Sequence, residues 1–105
     1  MIVLEEKLAT VPTLFVEKRD GRRVVFDVDK IDKALHKAAE KVMDVTPLVE
    51  KRLNGLVERI VTEIHSRFPQ GVKIYEIQNV VEHELLEAKE YALAEEYITY
   101  RTQRD

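Results

Sequence analysis

Residues 15–31 of this chain read Phe15-Val16-Glu17-Lys18-Arg19-Asp20-Gly21-Arg22-Arg23-Val24-Val25-Phe26-Asp27-Val28-Asp29-Lys30-Ile31. Two runs rich in β-branched and aromatic residues, 14–18 and 22–26, flank the dipeptide Asp20-Gly21. Asp-Gly is a strong hairpin signal, because a type I′ turn requires a positive φ at both central residues. Asp27 or Asp29 can then cap a helix that begins near Lys30. The stretch therefore predicts a strand, a tight turn, a second strand and the start of a helix.

A two-residue turn at Asp20-Gly21 predicts the pairing of the two strands. Val16 would face Val25, and Lys18 would face Arg23. Because successive side chains alternate between the faces of a strand, these four residues would share one face of the hairpin. The opposite face would carry Phe15, Val24 and Phe26.

Four basic residues flank the turn, although the net charge of the chain is −3. Like charges placed opposite one another destabilise a strand pair, so a bound anion would account for the cluster. Residues 17–23 carry four basic and two acidic side chains, a local charge of +2, which leaves −5 for the other residues. This distribution favours a small, localised anion over a nucleic-acid backbone. Lys30 would add a cation at a helix N-terminus, where free N–H groups also attract anions. The alternative is that these cations form a solvated surface without a ligand.

Apolar residues at helical spacing predict four helices in the rest of the chain. The first follows Lys30. The second begins at Thr46-Pro47, an N-cap and a first-turn proline, and ends before Pro69-Gln70-Gly71. Residues 72–74 can add only a short third strand beside the hairpin, and two further helices follow. The predicted fold is α+β, a small three-stranded sheet that caps a bundle of about four helices. Residues 1–12 are expected to form an N-terminal lead, either flexible or an extra helical turn, and residues 13–105 one domain.

Composition and motifs exclude several classes of function. The chain has no cysteine, which excludes disulfides, thiolate zinc sites, iron–sulfur clusters and cysteine radical chemistry within it. The G-x-G-x-x-G and P-loop motifs are absent, and no nucleophile–base pair or catalytic motif indicates an enzyme. His36, His65 and His83 lie on different predicted helices, and none has another histidine at i, i+4, so no metal site is predicted. No apolar run reaches the length of a membrane span, and the N-terminus is too charged for a secretory signal. The expected compartment is the cytoplasm.

Three segments carry a resemblance to a known family. Residues 16–22, followed by 26–31, resemble the opening of the ATP-cone domain. Residues 71–78 resemble its short strand and third-helix start, and residues 96–105 resemble its final helix, so the similarity covers residues 14–105. The ending Tyr-Ile-x-Tyr-Arg-x-x-Arg-Asp is most similar to the N-terminal cone of anaerobic, class III ribonucleoside-triphosphate reductases.

The resemblance implies a regulatory domain and not a catalyst. Such a domain would bind ATP or dATP as an effector, together with Mg²⁺, and would switch the activity of the catalytic domain of a parent reductase. The switch would act through nucleotide-dependent conformation or self-association, with neither nucleic acid nor membrane as a partner. Because the sequence ends where a catalytic domain would begin, we expect it to be a domain cut from a longer protein. The module also occurs in a nucleotide-sensing transcriptional repressor, whose cysteine zinc ribbon is absent here.

The resemblance also implies a set of nucleotide-binding residues. Phosphate contacts carried over by position fall on Lys18, Arg19, Lys30 and Arg104. The base pocket falls on Val16, Ile31, Ile74 and Gln78. The set is completed by Asp20, Gly21, Arg22 and Phe26. Arginine suits phosphate as a planar fork and lysine as a point charge.

Two positions depart from the family pattern. Several relatives have a carboxylate where this chain has Val24, and a threonine where it has Ile74. Ribose and base contacts at these positions would differ, with Arg22 or Asp27 as the residues that could compensate. Two alternatives follow: a cone that has kept the fold and lost nucleotide binding, or a helical module that docks a protein partner through the basic turn.

Overall fold

The computed structural model describes residues 13–104, and the side chains of residues 13–100. It contains four helices: α1 (Val28–Val42), α2 (Pro47–Arg67), α3 (Ile74–Glu87) and α4 (Tyr91–Arg104). Three short strands, β1 (Phe15–Glu17), β2 (Arg23–Val25) and β3 (Val72–Lys73), form one sheet. The predicted α+β fold, a small three-stranded sheet with four helices, is confirmed. The predicted lead over residues 1–12 lies outside the described residues.

The starts of α1 and α2 follow from the local sequence. Asp27 caps α1, because its side chain accepts a hydrogen bond of 3.0 Å from the Asp29 backbone N–H. The helix therefore begins slightly earlier than expected. Thr46 caps α2 by accepting from the Val49 N–H at 3.2 Å. Pro47 occupies the first helical position. Its lack of an N–H costs nothing there, because N–H groups of the first turn have no partner within the helix.

β1 lies in the centre of the sheet, antiparallel to β2 and parallel to β3. The parallel partner is reached through α1 and α2, which supply the long connection that parallel pairing requires. Val16 pairs with Val24 on one side and with Val72 on the other. Val16 and Val72 are buried and Val24 is half-buried, so this face of the sheet packs on the helices.

The predicted hairpin register is wrong by one residue. The observed pairs are Phe15 with Val25, Val16 with Val24 and Glu17 with Arg23. In the predicted register Arg23 would share the buried face with Val16, and burial of an unpaired guanidinium is costly. In the structure Arg23 lies on the exposed face, with its guanidinium 4.9 Å from the centroid of the Phe15 ring. The predicted repulsion between Lys18 and Arg23 is also wrong, since Arg23 pairs with a residue of opposite charge.

The buried face of the sheet and one stripe of each helix form a single apolar core. The largest fully buried side chains are Leu35, Leu53, Ile60, Ile64, Val80, Val81, Leu85 and Leu93. Burial of a side chain of this size contributes about 1.5–3 kcal/mol relative to exposure. Across the described residues, no helix combines the length and apolar character that crossing a bilayer requires.

Charged side chains join neighbouring helices at the edge of this core. Arg52 of α2 forms two hydrogen bonds with the Glu90 carboxylate, of 2.7 and 3.2 Å, at the connection between α3 and α4. Lys41 of α1 lies 3.7 Å from a carboxylate oxygen of Glu96 on α4. These pairs hold α1 beside α4 and α2 beside the start of α4.

His36 joins α1 to α2. Its Nδ1 lies 2.9 Å from the backbone oxygen of Asp32, and its Nε2 bonds directly to the Glu50 carboxylate. The imidazolium form donates from both nitrogens and also lies beside the Asp32 carboxylate. The pKa of His36 is raised, first by the hydrogen bond to the Asp32 backbone oxygen and then by Glu50 and the Asp32 charge, against an opposing effect of burial.

We expect this contact to make stability depend on pH. Because the folded-state pKa is raised, the stabilisation is fully present below the unfolded value of about 6.5 and is lost as pH rises through the folded value. Urea unfolding near pH 6 and pH 8 should show a larger loss of unfolding free energy for His36→Gln at the lower pH. His83→Gln, on the exposed surface of α3, is the matched control. An equal loss for His36→Gln at both pH values would contradict the expectation.

Candidate functional site

The hairpin loop presents its charged residues through a three-residue connection. Lys18 N–H donates to the Arg22 backbone oxygen at 2.7 Å, and Gly21 N–H donates to the Lys18 oxygen at 3.0 Å. Gly21 has a φ of +88°, which glycine adopts without steric cost. A turn followed by a left-handed glycine is the usual form of a three-residue hairpin loop. The Asp-Gly dipeptide thus makes this turn instead of the predicted two-residue one.

Asp20 and Arg22 form a local ion pair in this loop. The Asp20 carboxylate accepts from the Arg22 backbone N–H at 3.1 Å and from its Nε at 2.7 Å. The pKa of Asp20 is lowered, first by the backbone hydrogen bond and then by the guanidinium. Part of the positive charge of the loop is therefore neutralised at Arg22.

An apolar pocket lies between the sheet and the helices. Its cavity volume is about 130 Å³. The strands and the β2–α1 connection contribute Val16, Lys18, Val24, Val25, Phe26 and Asp27. The helices contribute Lys30, Ile31, Ala34, Ile74, Ile77, Gln78 and Tyr97. The walls of the pocket come from four elements: the hairpin, α1, α3 and α4.

A basic depression adjoins the apolar pocket at the hairpin loop. It has a volume of about 260 Å³ and is lined by Lys18, Arg19, Asp20, Arg22 and Ile74. Lys18 and Ile74 belong to both cavities. An apolar slot therefore opens onto a cationic surface, which suits a ligand with a flat apolar part and an anionic part.

The start of α1 forms one edge of the pocket. Lys30 lies in the first turn, and its N–H donates to the Asp27 oxygen at 3.2 Å. Ile31 and Ala34 follow on the same side of the helix, one turn apart, so the three side chains line the pocket together. The hairpin and the start of α1, which are adjacent in sequence, therefore line the same pocket.

Most of the predicted nucleotide-binding residues line these two cavities. The apolar pocket receives Val16, Lys18, Phe26, Lys30, Ile31, Ile74 and Gln78, and the basic depression receives Lys18, Arg19, Asp20, Arg22 and Ile74. Gly21 lies in the loop and lines neither cavity. Arg104 ends α4, and its side chain lies outside the described part.

The structure adds pocket residues that were not among the predicted site residues: Val24, Val25, Asp27, Ala34, Ile77 and Tyr97. Ala34 and Ile77 lie three residues beyond Ile31 and Ile74, so helical spacing could have found them. Tyr97 comes from the last helix, α4. No local signal relates it to the hairpin.

Gln78 is the one buried polar residue of the described core, with 8% of its surface exposed. It lines the pocket beside the aliphatic walls. A side-chain amide both donates and accepts hydrogen bonds. Gln78 can therefore bond to a donor or to an acceptor on the edge of a ligand. Among residues 13–104, no group of three or more histidine, aspartate or glutamate side chains could hold a metal ion.

Comparison with known proteins gives one family. The family model described as the ATP cone domain matches residues 14–105. The ribonucleoside-diphosphate reductase subunit alpha of Chlamydia muridarum is 37% identical over 99 residues, which are 88% of this chain and 10% of that protein.

Two relatives of other kinds are also similar. The anaerobic ribonucleoside-triphosphate reductase of Haemophilus influenzae is 33% identical over 86% of this chain and 12% of its own length. The transcriptional repressor NrdR of Carboxydothermus hydrogenoformans is 35% identical over 88% of this chain and 57% of its own length. The chain thus spans about a tenth of the reductases that it matches. The match over residues 14–105, together with the hairpin, four helices and a pocket between them, shows that the chain belongs to the ATP-cone domain family.

Proposed function

We propose that this chain is a nucleotide-sensing regulatory domain of a ribonucleotide reductase, which binds ATP and dATP and performs no catalysis itself. The observation that carries the proposal is the continuity of the apolar pocket with the basic depression through Lys18 and Ile74, in a chain of the ATP-cone family. The reductase names of several relatives support the parent enzyme.

The base and the phosphates would occupy different cavities. The purine would lie in the apolar pocket between Val16, Ile31 and Ile77, where burial of its ring faces is favourable. Gln78 would offer a hydrogen bond to the edge of the base. The triphosphate would leave the pocket beside Lys18 and enter the depression lined by Arg19.

Phosphate binding would depend on the cations of the loop and of α1. Lys18 and Arg19 face the depression, and Lys30 reaches the pocket from the first turn of α1. Charge-assisted hydrogen bonds from such groups to phosphate are shorter and stronger than neutral ones. Arg22 would contribute less, because Asp20 already pairs with it.

Mg²⁺ would arrive with the nucleotide. Magnesium keeps several waters and is commonly held by substrate phosphates with one or two carboxylates. The described residues contain no preformed acidic cage for it, and the triphosphate oxygens would provide its ligands. The bound ion would neutralise part of the phosphate charge beside the loop.

Regulation would act through the helices that form the pocket walls. Lys30, Ile31 and Ala34 come from α1, and Tyr97 comes from α4. An effector shifts a conformational equilibrium only by the difference between its affinities for the two states. ATP and dATP differ by one hydroxyl, so that difference must change how α1 and α4 pack against the catalytic domain or a second copy of the chain.

We propose an anaerobic reductase of the cytoplasm as the parent. The C-terminal sequence pattern and the similarity to the Haemophilus enzyme support this class. The Chlamydia ribonucleoside-diphosphate reductase subunits have a similar identity to this chain. They support a reductase as the parent, whether or not it is of the anaerobic class.

A titration of the whole chain tests the proposal. Calorimetry with Mg²⁺ should give saturable binding of ATP and of dATP, and sedimentation should differ between the two bound states. Inorganic triphosphate is the matched control, because it offers the same phosphates without a base and should bind more weakly. The absence of binding of both nucleotides would refute the proposal.

A further inference from the structure

Backbone hydrogen bonds fix the direction in which each residue of β2 points its N–H and C=O groups. Lys18 N–H donates to the Arg22 oxygen at 2.7 Å, and Phe26 N–H donates to the Leu14 oxygen at 2.9 Å. In an antiparallel pair, hydrogen-bonded positions alternate with positions that are not hydrogen-bonded. The even-numbered residues of β2 therefore point their backbone groups toward β1, and the odd-numbered residues point them away from it.

The outer edge of β2 consists of the N–H and C=O groups of Arg23 and Val25. The strand order is β2–β1–β3, so among residues 13–104 β1 is the only strand that pairs with β2. The Val25 side chain on this strand is 59% exposed. A row of unpaired backbone groups at the edge of a sheet is a template for pairing with another strand.

β2 lacks the features that commonly protect such an edge, which include proline, a bulge and very short length. Its residues pair one to one with those of β1, without a bulge. The Arg23 guanidinium lies 4.9 Å from the centroid of the Phe15 ring on β1, so this charge is directed toward the middle of the sheet. The other edge strand, β3, has only two residues, and its Lys73 N–H already donates to the Glu76 carboxylate at 2.8 Å. The edge available for pairing is therefore that of β2.

We propose that β2 pairs with β2 of a second copy of the chain, antiparallel across a two-fold axis that passes beside Val24. In this register Arg23 of one copy faces Val25 of the other. Both residues point their backbone groups outward, so each of the two facing pairs exchanges both of its N–H···O bonds. A two-fold axis brings the same surface of both copies together, as is usual in homodimers.

The charges of the edge favour this register over its neighbours. An axis beside Arg23 would place the two guanidinium groups opposite one another, which destabilises a strand pair. An axis beside Val25 would require the backbone of Asp27, whose oxygen already accepts from the Lys30 N–H at 3.2 Å at the start of α1. With the axis beside Val24, all the bonds lie within β2 and each charged side chain faces an apolar one. The edge is self-complementary, and this is the argument for a second copy as its partner.

The pairing is expected to be weak. Stable specific interfaces bury about 1,200–2,000 Å², more than a strand of three residues supplies by itself. The contact goes beyond the proposed function, because it requires no nucleotide. Val24 and Val25 also line the apolar pocket, so the two sites are adjacent.

A single introduced thiol tests the position of the axis. The chain has no cysteine, so Val24→Cys places one thiol of each copy beside the axis. The Cα atoms of such a facing pair lie about 4.5 Å apart, within the range that a disulfide spans. Mild oxidation should give a covalent dimer as the main product. Leu48→Cys, at a position that is 75% exposed on α2, is the matched control and should give little dimer. Equal yields from the two variants, or no dimer from Val24→Cys, would overturn the inference.

Val25→Pro tests the backbone bonds. Proline lacks an N–H, but the Val25 N–H faces away from β1, where an edge strand tolerates proline. The variant should keep the circular dichroism of the wild-type chain and lose half of the bonds across the axis. Sedimentation equilibrium without nucleotide should show a dissociation constant of the dimer raised by about tenfold or more. Val25→Thr keeps the N–H and a β-branched side chain and should change it by less than about twofold.

Three results of the sedimentation experiment would overturn the inference. They are a wild-type chain that stays monomeric up to millimolar concentration, a dimer that Val25→Pro leaves unchanged, and a dimer that forms only after residues 1–12 are removed. The last result would assign the edge of β2 to those residues. Because no nucleotide is present, none of these results bears on the proposed function, and a failure of nucleotide binding would leave the strand pairing untouched.

Discussion

Replacement of Lys18 or Arg19 by alanine is expected to weaken the binding of ATP and dATP by about tenfold or more, because a charge-assisted hydrogen bond contributes about 1.5–3 kcal/mol. Both side chains line the basic depression, and Lys18 also lines the apolar pocket. Partial exposure of the loop places the effect nearer the lower value. Calorimetric titration in the presence of Mg²⁺ at fixed ionic strength measures the dissociation constants.

Arg23→Ala provides the matched control in the same hairpin. Arg23 lies on the exposed face of the sheet, against Phe15, and lines neither of the two cavities. Its removal takes away the same charge as Arg19→Ala and should change the affinity by less than about twofold, since exposed charges farther away are screened. An equal loss of affinity in both variants would mean that the phosphates respond to the overall charge of the hairpin and do not bind at the basic depression.

Leu35→Ala should cause a large loss of stability. Leu35 lies in the middle of α1 with 0% of its surface exposed. Truncation of a fully buried leucine removes its apolar contacts and leaves a cavity, at a cost of about 2–5 kcal/mol. Since domains of this size are stable by about 5–15 kcal/mol, the variant should lose a large fraction of its stability.

Leu48→Ala is the control for this substitution. Leu48 is 75% exposed at the start of α2, so the same chemical change should cost less than about 0.5 kcal/mol. Urea unfolding followed by circular dichroism measures both variants. Similar small losses in the two would show that α1 does not pack in the core as the structure places it.

The local elements were predictable because short-range interactions determine them. Thr46 and Pro47 start α2 through a side-chain cap and a preset φ, both of which act within a few residues. The basic loop and the start of α1 are adjacent along the chain, so their cations could converge. The structure places Lys18 and Lys30 in the lining of one pocket.

The hairpin register was not predictable from the dipeptide alone. Asp20-Gly21 is compatible both with a two-residue turn and with a three-residue loop that uses Gly21 in a left-handed conformation. Local energetics do not separate the two. The choice follows from which β2 residues can be buried beside Val16, and Arg23 cannot.

The pocket was only partly predictable for a related reason. Helical spacing and family resemblance identify walls on α1 and α3, but Tyr97 reaches the pocket because α4 packs along α1. The packing of α4 on α1 joins residues that are far apart in sequence. No sequence pattern near the hairpin indicates that Tyr97 lines the pocket.

Interactions between residues close in the chain set the order of the elements, the caps of α1 and α2 and the position of the cations around the turn. The strand register, the face to which each cation belongs and the closure of the pocket by Asp27 and Tyr97 depend on tertiary packing. Burial accounts for this difference. Whether a side chain is buried or exposed depends on elements that are distant along the chain, and the cost of burying an unpaired charge selects among arrangements that local preferences leave equal.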